Sequence, residues 1–334
     1  MSLQRDEAHV GHGSGKVILL GEHAVVHGVP ALAAGLSKGS RAHARYDASP
    51  SPIGEAQLEI SPWNVCVSRH DVQPLARAFD ALLKARREGS EHATERNVSA
   101  VMEIPGGAGL GSSAALGVAV LRALDAQDGL TRGFEDAQRV ALAWERVFHG
   151  NPSGVDTAMA ISGGVAVYRR APQEHEKSLT QLQLAKPLRL VVGHSGESGS
   201  TKKMVEQVAH QKDRDPSKFA QTLEAITAIV TNGTAALERG DHVALGRLFD
   251  MNQALLSTWL VSTDTLEYMC GVAREAGALG AKLTGGGGGG CMIALVDAAH
   301  GTAVKDALLA LGHEAFEVTI ESGAVSAVIG EETR

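Results

Sequence analysis

Cysteine is scarce in this chain. Three occur, Cys66, Cys270 and Cys291, in no close pair and no zinc-ligand spacing. That excludes a disulfide scaffold and a cysteine zinc site, and it fits a reducing compartment. Basic excess is missing too. The net charge of -7 gives no global attraction to nucleic acid or an anionic membrane, and no basic–aromatic interleaving marks a nucleic-acid surface. The opening residues, MSLQRDEAHVGHGSGK, lack a basic-then-apolar signal pattern, and no uninterrupted apolar run reaches transmembrane length. The expectation is a soluble, cytoplasmic protein with no nucleic-acid and no membrane partner. What the 334 residues do have is 44% apolar and 21% charged side chains, enough for a sizeable core in one large domain or two ordinary ones.

Apolar periodicity and turn residues predict strands at 17–20, 40–47, 56–60, 98–104, 163–170 and from 188. Helices are predicted at 75–87, 112–126, 134–148, 201–210, 216–238, 241–258 and 265–276. The stretch 281–296 reads as loop, then strand. Strands and helices mix throughout, so the fold class is α/β or α+β. The polar stretch APQEHEKSLTQ at 171–181 reads as a hinge or surface loop. It places a domain boundary near 171–187, drawn as 1–180 and 181–334.

The most informative stretch is IPGGAGLGSSAALGVAV at 104–120. Glycines admit left-handed dihedrals and close ligand approach. A loop of this kind entering a helix points several N–H groups one way, at the positive end of the helix dipole, which makes an anion site. Three readings compete. One is a tight turn with a serine cap. One is a dinucleotide fingerprint, because Gly109, Gly111 and Ala114 satisfy G-x-G-x-x-A, although no strand-end acid follows near 130. The third is a nucleotide-phosphate loop. The usual P-loop is absent, since Gly15-Lys16 is followed by Val17, and so are the H-R-D and D-F-G signatures of protein kinases. A phosphate loop here belongs to another class.

Three further stretches break the tie: KVILLGEHAVVHG at 16–28, ERVFHGNPSGVD at 145–156 and LTGGGGGGC at 283–291. Together with PGGAGLGSSAA at 105–115 they resemble the GHMP kinase superfamily, nearest to its mevalonate-phosphorylating family. The motifs stand in the family's order and span both halves of the chain. Galactose-phosphorylating members share a Gly-Glu-His start but continue differently from Ala24-Val25-Val26.

The resemblance implies a two-domain α+β fold, the first domain like ribosomal S5 domain 2 and the second ferredoxin-like, with the site in the cleft between. It implies phosphoryl transfer from ATP to (R)-mevalonate with Mg²⁺, an early step of isoprenoid synthesis, and it brings a homodimer as precedent. Another acceptor, such as phosphomevalonate or a sugar, is the nearest alternative; a non-catalytic ligand sensor of the same fold is the next.

The residue roles follow from the resemblance. Pro105, Gly106, Gly107, Ala108, Gly109, Leu110, Gly111, Ser112 and Ser113 would wrap the ATP phosphates. Glu145 would bind Mg²⁺ with Ser112 or Ser113, where an isolated glutamate would pair with His149 four residues on. Asp156 would be the base, or the group that orients the acceptor hydroxyl, where an isolated aspartate would cap a helix. Lys16 would approach Asp156 and the transferred group, where a lone lysine beside a strand snorkels at an edge. Glu22, His23 and Thr201 would face the acceptor, and Lys202 would add positive potential. The glycines at 285–290 would support the phosphate loop by close packing. Trp63 or Asn64, in SPWNVCV at 61–67, would line the adenine pocket. The chain has Thr157 where the family often has Asn after the catalytic Asp.

Overall fold

The computed structural model describes residues 10–44, 56–61, 63–88, 90, 93–150, 152–169, 179–197, 199 and 201–321, with backbone alone for residues 201 and 202. The first unit runs β1 (Val10–Leu20), β2 (Ala31–Ala44), β3 (Gln57–Ser61), β4 (Val65–Ser68), α1 (Pro74–Glu88), β5 (Val98–Met102), α2 (Ser112–Gln127), α3 (Phe134–His149), α4 (Val155–Ser162), β6 (Val165–Tyr168) and β7 (Leu179–Leu182). The second runs β8 (Leu188–His194), α5 (Thr201–Arg214), α6 (Pro216–Arg239), α7 (His242–Thr258), α8 (Asp264–Glu275), β9 (Gly280–Thr284), β10 (Cys291–Val296), α9 (Gly301–Ala310) and β11 (Glu314–Ile320).

A seven-stranded sheet in the order β4-β3-β5-β2-β6-β7, with β1 on β2, builds the first unit; a four-stranded sheet, β11-β8-β10-β9, builds the second. The long strand β2 carries β1 along one edge, and β5 and β6 share the other. All these pairings are antiparallel except β3 with β5. Strand β7 pairs with β6, so the first sheet is complete only at Leu182, and the crossing to β8 falls at 183–187. Of the polar stretch 171–181, residues 171–178 lie outside the described residues and the last three open β7.

Strand β1 is longer than its apolar part at 17–20, because its first half exchanges side chains for close packing. A Cβ at Gly11 would stand 2.0 Å from the carbonyl oxygen of Ala119, and one at Gly13 2.0 Å from that of Ala115. Helix α2 therefore lies backbone against backbone on β1, and its own small residues make that approach possible. Such contact forgoes side-chain burial but fixes the helix start against the strand with little freedom. The guanidinium of Arg122 secures the arrangement, donating to the carbonyls of His12 (2.7 Å) and Ile161 (2.6 Å). At the far end of α2, Arg86 of α1 is 1% exposed and reaches Asp125 and Asp128, so the buried charges are paired rather than isolated.

The stretch 281–296, expected as loop then strand, opens instead within strand β9, and the loop follows it. All five residues of β9 are buried, Lys282 included. A charged residue in a strand enclosed on both faces breaks the alternation from which strands are read. Helix α4, helix α9 and strand β11 carry no sequence expectation; α4 follows directly on a glycine-proline turn and is only 8 residues long. The predicted strand at 40–47 is the second half of β2 up to Ala44; residues 45–47 lie outside the described residues.

Candidate active site

The site forms where β1 meets the start of α2. The backbone N–H of Lys16 donates to the carbonyl of Leu110 (2.8 Å), which seats the glycine loop on the strand. Gly111 is the N-cap of α2 with φ 68°, and a Cβ there would come within 2.9 Å of the Lys16 side chain. Both facts call for glycine. No side chain caps α2, so neither Ser112 nor Ser113 acts as the serine cap of the tight-turn reading. The N–H groups of the helix start are left for another acceptor.

Lys16 is 4% exposed. Its ammonium stands 3.1 Å from the carbonyl oxygen of Gly109 and 3.3 Å from Oδ1 of Asp156. The sequence alternative, a snorkelling edge lysine, does not describe it. Asp156 lies in the first turn of α4, whose N-cap is Gly154 in the left-handed region, so it does not cap the helix. Two contacts shape the turn that delivers it. Tyr168 donates its hydroxyl to the carbonyl of Ser153 (2.5 Å), and Thr157, 1% exposed, donates to the carbonyl of Gly154 (3.0 Å). Thr157 thus closes the helix start from within.

Ser112 and Ser113 are equivalent in sequence but not in place. Ser113 donates to Glu145 Oε1 (2.5 Å) and accepts from the Trp144 indole (3.1 Å). Glu145 is 2% exposed, on the inward face of α3. Burial pushes its carboxyl up to about 7; the Ser113 hydrogen bond lowers it, nearby Asp156 raises it, and Lys16 lowers it. His149 Nε2 stands 3.6 Å from the other Glu145 oxygen, so the local i,i+4 pairing exists beside the Ser113 contact. Among the described residues no group of three or more His, Cys, Asp or Glu gathers as a metal centre. A cation here would rest on few protein oxygens and on phosphate and water, which is how Mg²⁺ is commonly held at nucleotides.

The turn after β1 packs against the second unit. Glu22 is 0% exposed; it pairs with Lys282 and accepts from Asn252 Nδ2 (2.9 Å). This differs from the expectation that Glu22 faces the acceptor: its oxygens are engaged in the interior. Burial pushes Glu22 up and Lys282 down, and their contact with each other opposes both shifts. His23, with φ 59°, places Nε2 3.0 Å from the carbonyl oxygen of Gly286. Burial lowers its pKa to about 4, against the Gly286 hydrogen bond, which raises it. The ring is therefore neutral near pH 7. A carbonyl accepts only, so Nε2 carries the hydrogen and Nδ1 is the acceptor.

The second glycine loop lies on the first. A Cβ at Gly285 would meet the carbonyl oxygen of Gly109 at 3.0 Å, and one at Gly290 that of Ala108 at 3.1 Å. Beyond β8, Ser195 N–H donates to Gly290 O (2.9 Å) and Gly290 N–H to Glu197 O (2.8 Å), which holds the end of the second loop. Thr201 and Lys202 open α5 just beyond, and their side chains lie outside the described ones. Trp63 lies over the phosphate loop: its ring would be 3.0 Å from a Cβ at Gly106. Sequence reasoning missed Trp144, Tyr168, Asn252 and Lys282. Only Lys282 carried a signal, as a charge inside an apolar run that asks for a buried partner.

An uncapped, glycine-led helix start with a lysine–carboxylate pair beneath it, in a chain of two α+β units, is the arrangement of a class of small-molecule kinase. Residues 75–164 match the GHMP kinases N terminal domain and residues 234–314 the GHMP kinases C terminal. The chain is 34% identical over 296 residues to the mevalonate kinase of Thermococcus onnurineus, covering 84% of this chain and 86% of that protein. It is 32% identical over 315 residues to the mevalonate kinase of Aeropyrum pernix, covering 93% and 95%. Among solved structures, the L. major mevalonate kinase in complex with R-mevalonate matches with a TM-score of 0.77 and 30% identity, covering 95% of this chain and 97% of that one. Within the GHMP kinases, the chain belongs to the mevalonate kinase family.

Proposed function

We propose that the site carries out the family's reaction as follows: the C5 hydroxyl oxygen of (R)-mevalonate attacks the γ-phosphorus of ATP, giving ADP and 5-phosphomevalonate. The observation that carries this is the Lys16–Asp156 pair, 3.3 Å apart, under the phosphate loop. The oxygen–phosphorus bond to the acceptor forms as the bond to the β-phosphate oxygen breaks, and the hydroxyl proton passes to Asp156, which also orients the hydroxyl. Lys16 offsets the charge developing between them, and positioning contributes alongside proton transfer. The backbone N–H groups of 106–113 receive the phosphates. Glu145 and Ser113 would hold Mg²⁺: a buried carboxylate already pushed toward neutrality, beside a hydroxyl, is a hard-oxygen pair that a cation stabilises. When bound, Mg²⁺ supplies charge neutralisation at the phosphate oxygens.

His23 belongs on the acceptor side as a neutral ring, which suits a hydroxyl donor better than a carboxylate. Thr201 and Lys202 are kept as acceptor-side donors, and Trp63 as the adenine neighbour. In the second unit, strands β8 to β11 follow β-α-β-β-α-β order with sheet order β11-β8-β10-β9, which supports a ferredoxin-like domain; the first is read as S5 domain 2-like. Among the described residues no helix is long and apolar enough to cross a membrane, and we place the reaction in the cytoplasm. The groups named all come from a single chain.

The test is ATP-dependent phosphorylation by purified protein with Mg²⁺, across mevalonate, phosphomevalonate, galactose and homoserine, with products identified by mass and NMR. Turnover on mevalonate alone, with phosphate on the C5 oxygen, is expected. Turnover on another acceptor would keep the phosphate-loop reading and discard the acceptor.

A further inference from the structure

The two halves of the site are carried by different sheets, and something must hold them in register. The turn after β1 brings Glu22 and His23; β9 leads into the second glycine loop. Three contacts bridge them. The backbone N–H of Ile18 donates to Thr284 Oγ1 (2.9 Å), and that hydroxyl donates to the Ile18 carbonyl (3.1 Å). His23 meets Gly286. Between these lies the Glu22–Lys282 pair, with both side chains 0% exposed.

The pair is further tied to the interior of the second unit. Asn252 of α7 donates to Glu22 Oε2, and the adjacent Gln253 accepts from the Leu283 N–H through Oε1 (2.9 Å) while its Nε2 donates to Ser262 and Glu267. Lys282 also donates to the carbonyl of Leu283 (2.5 Å). A buried ion pair is weak evidence for stability, because desolvation offsets the attraction. Its geometric effect is firmer: with its partners fixed on three elements, it leaves the turn one position relative to β9.

We propose that Lys282, assisted by Asn252, is a positioning residue for phosphoryl transfer: through Glu22 it locks the His23 turn of the first unit against the glycine loop of the second, and so sets the acceptor relative to the phosphate loop. This rests on the acceptor-side reading of His23. Loss of the lock shifts the acceptor while leaving the nucleotide's own seat, made by the backbone of 106–113, in place. The consequence is a fall in kcat and a rise in the acceptor KM, with the ATP KM little changed.

The experiment compares the wild type with Lys282→Met, Asn252→Ala and the double variant Lys282→Met/Glu22→Gln. Steady-state kinetics are run with whichever acceptor the unmodified enzyme turns over, so a wrong acceptor assignment and a wrong positioning role fail separately. Lys282→Met alone leaves a lone buried carboxylate and is the variant most exposed to misfolding. The double variant removes both charges, and its thermal midpoint is expected near that of the wild type. Its kcat/KM for the acceptor is nevertheless expected to fall about 10²-fold, the cost of a small misplacement. Asn252→Ala, which strands no charge, is expected to fall about tenfold in the same parameter. If the double variant does not fold, Asn252→Ala decides alone. A folded double variant, or failing it a folded Asn252→Ala, with unchanged kcat and acceptor KM would overturn the proposal, whatever its thermal midpoint.

Discussion

The Lys16 ammonium lies 3.3 Å from the Asp156 carboxylate and 3.1 Å from the Gly109 carbonyl oxygen, so one buried cation joins the turn that carries Asp156 to the glycine loop before α2. The contact exists because β1 runs directly beneath the start of α2. It gives the lysine two roles that substitutions can separate. Lys16→Met is expected to lower kcat about 10²–10³-fold, as for loss of one group that stabilises transition-state charge. Asp156→Asn is expected to lower it about 10²–10⁴-fold, since the amide orients the hydroxyl but takes no proton. Calorimetry with a non-hydrolysable ATP analogue should find Asp156→Asn close to wild type in nucleotide affinity. A large loss there would move Asp156 from the acceptor to the nucleotide.

The buried Glu145 carboxyl makes the protein's stability depend on pH in a stated direction. Its folded pKa is about 7, above the ordinary glutamate value of 4.5. The folded state thus keeps the proton longer than the unfolded chain, and the contribution is fully present below about pH 4.5 and lost as pH rises through about 7. The loss at pH 8 is on the order of 3 kcal/mol before relaxation. Without nucleotide or metal, Glu145→Gln should therefore melt several degrees above wild type at pH 8 and converge with it below about pH 5. Added Mg²⁺ and nucleotide should reverse the order at pH 8, because only the carboxylate gains a cation. A melting difference equal at both pH values would contradict the assigned shift.

Ser113, rather than Ser112, touches Glu145. Ser113→Ala should raise the Mg²⁺ concentration needed for half-maximal activity about 10–100-fold, the usual cost of removing a group that orients a ligand. Ser112→Ala should act less on the Mg²⁺ requirement. A magnesium titration of both variants at saturating ATP would show the order, and the opposite order would move the metal position to the first helical residue.

Two glycine substitutions test the packing of α2. Gly13→Ala places a methyl 2.0 Å from the Ala115 carbonyl oxygen, so either strand or helix must move. We expect a loss of at least about 3 kcal/mol, read by denaturant unfolding, together with reduced activity because α2 carries the phosphate loop. At Gly271, within α8, an added Cβ would have nothing within 4 Å. Gly271→Ala should instead stabilise by about 0.5–1 kcal/mol through helix propensity and the unfolded chain. Equal effects would mean that the close approach of α2 to β1 is wrong.

The parts of the fold most legible in sequence were the long helices. The predicted 134–148 and 216–238 differ from α3 (Phe134–His149) and α6 (Pro216–Arg239) by a residue at an end, because apolar spacing and helix-stop residues are local signals. Strand β9 was not legible, because a fully buried strand containing Lys282 shows no alternation. Within the site, the glycine loop pointed to an anion site through its backbone, and the roles of Glu145 and Asp156 came from the family resemblance. Neither could choose between Ser112 and Ser113: both stand at the helix start, and only the position of α3 brings Glu145 to the second. Glu22 shows the same limit in reverse. The resemblance put it beside the acceptor and its turn suggested only local hydrogen bonds, while its partners, Lys282 and Asn252, lie 260 and 230 residues away.

The amino-acid order by itself determined the local pieces: helix lengths, glycine loops able to adopt left-handed turns, and a chain poor in cysteine and basic excess. These follow from backbone sterics and nearest-neighbour spacing. The tertiary structure alone decided that Lys16 reaches Asp156, that Ser113 meets Glu145, and that Lys282 closes on Glu22. Those are distances between segments far apart in the chain, set by how two sheets and α2 pack, and burial then changes what each group can do.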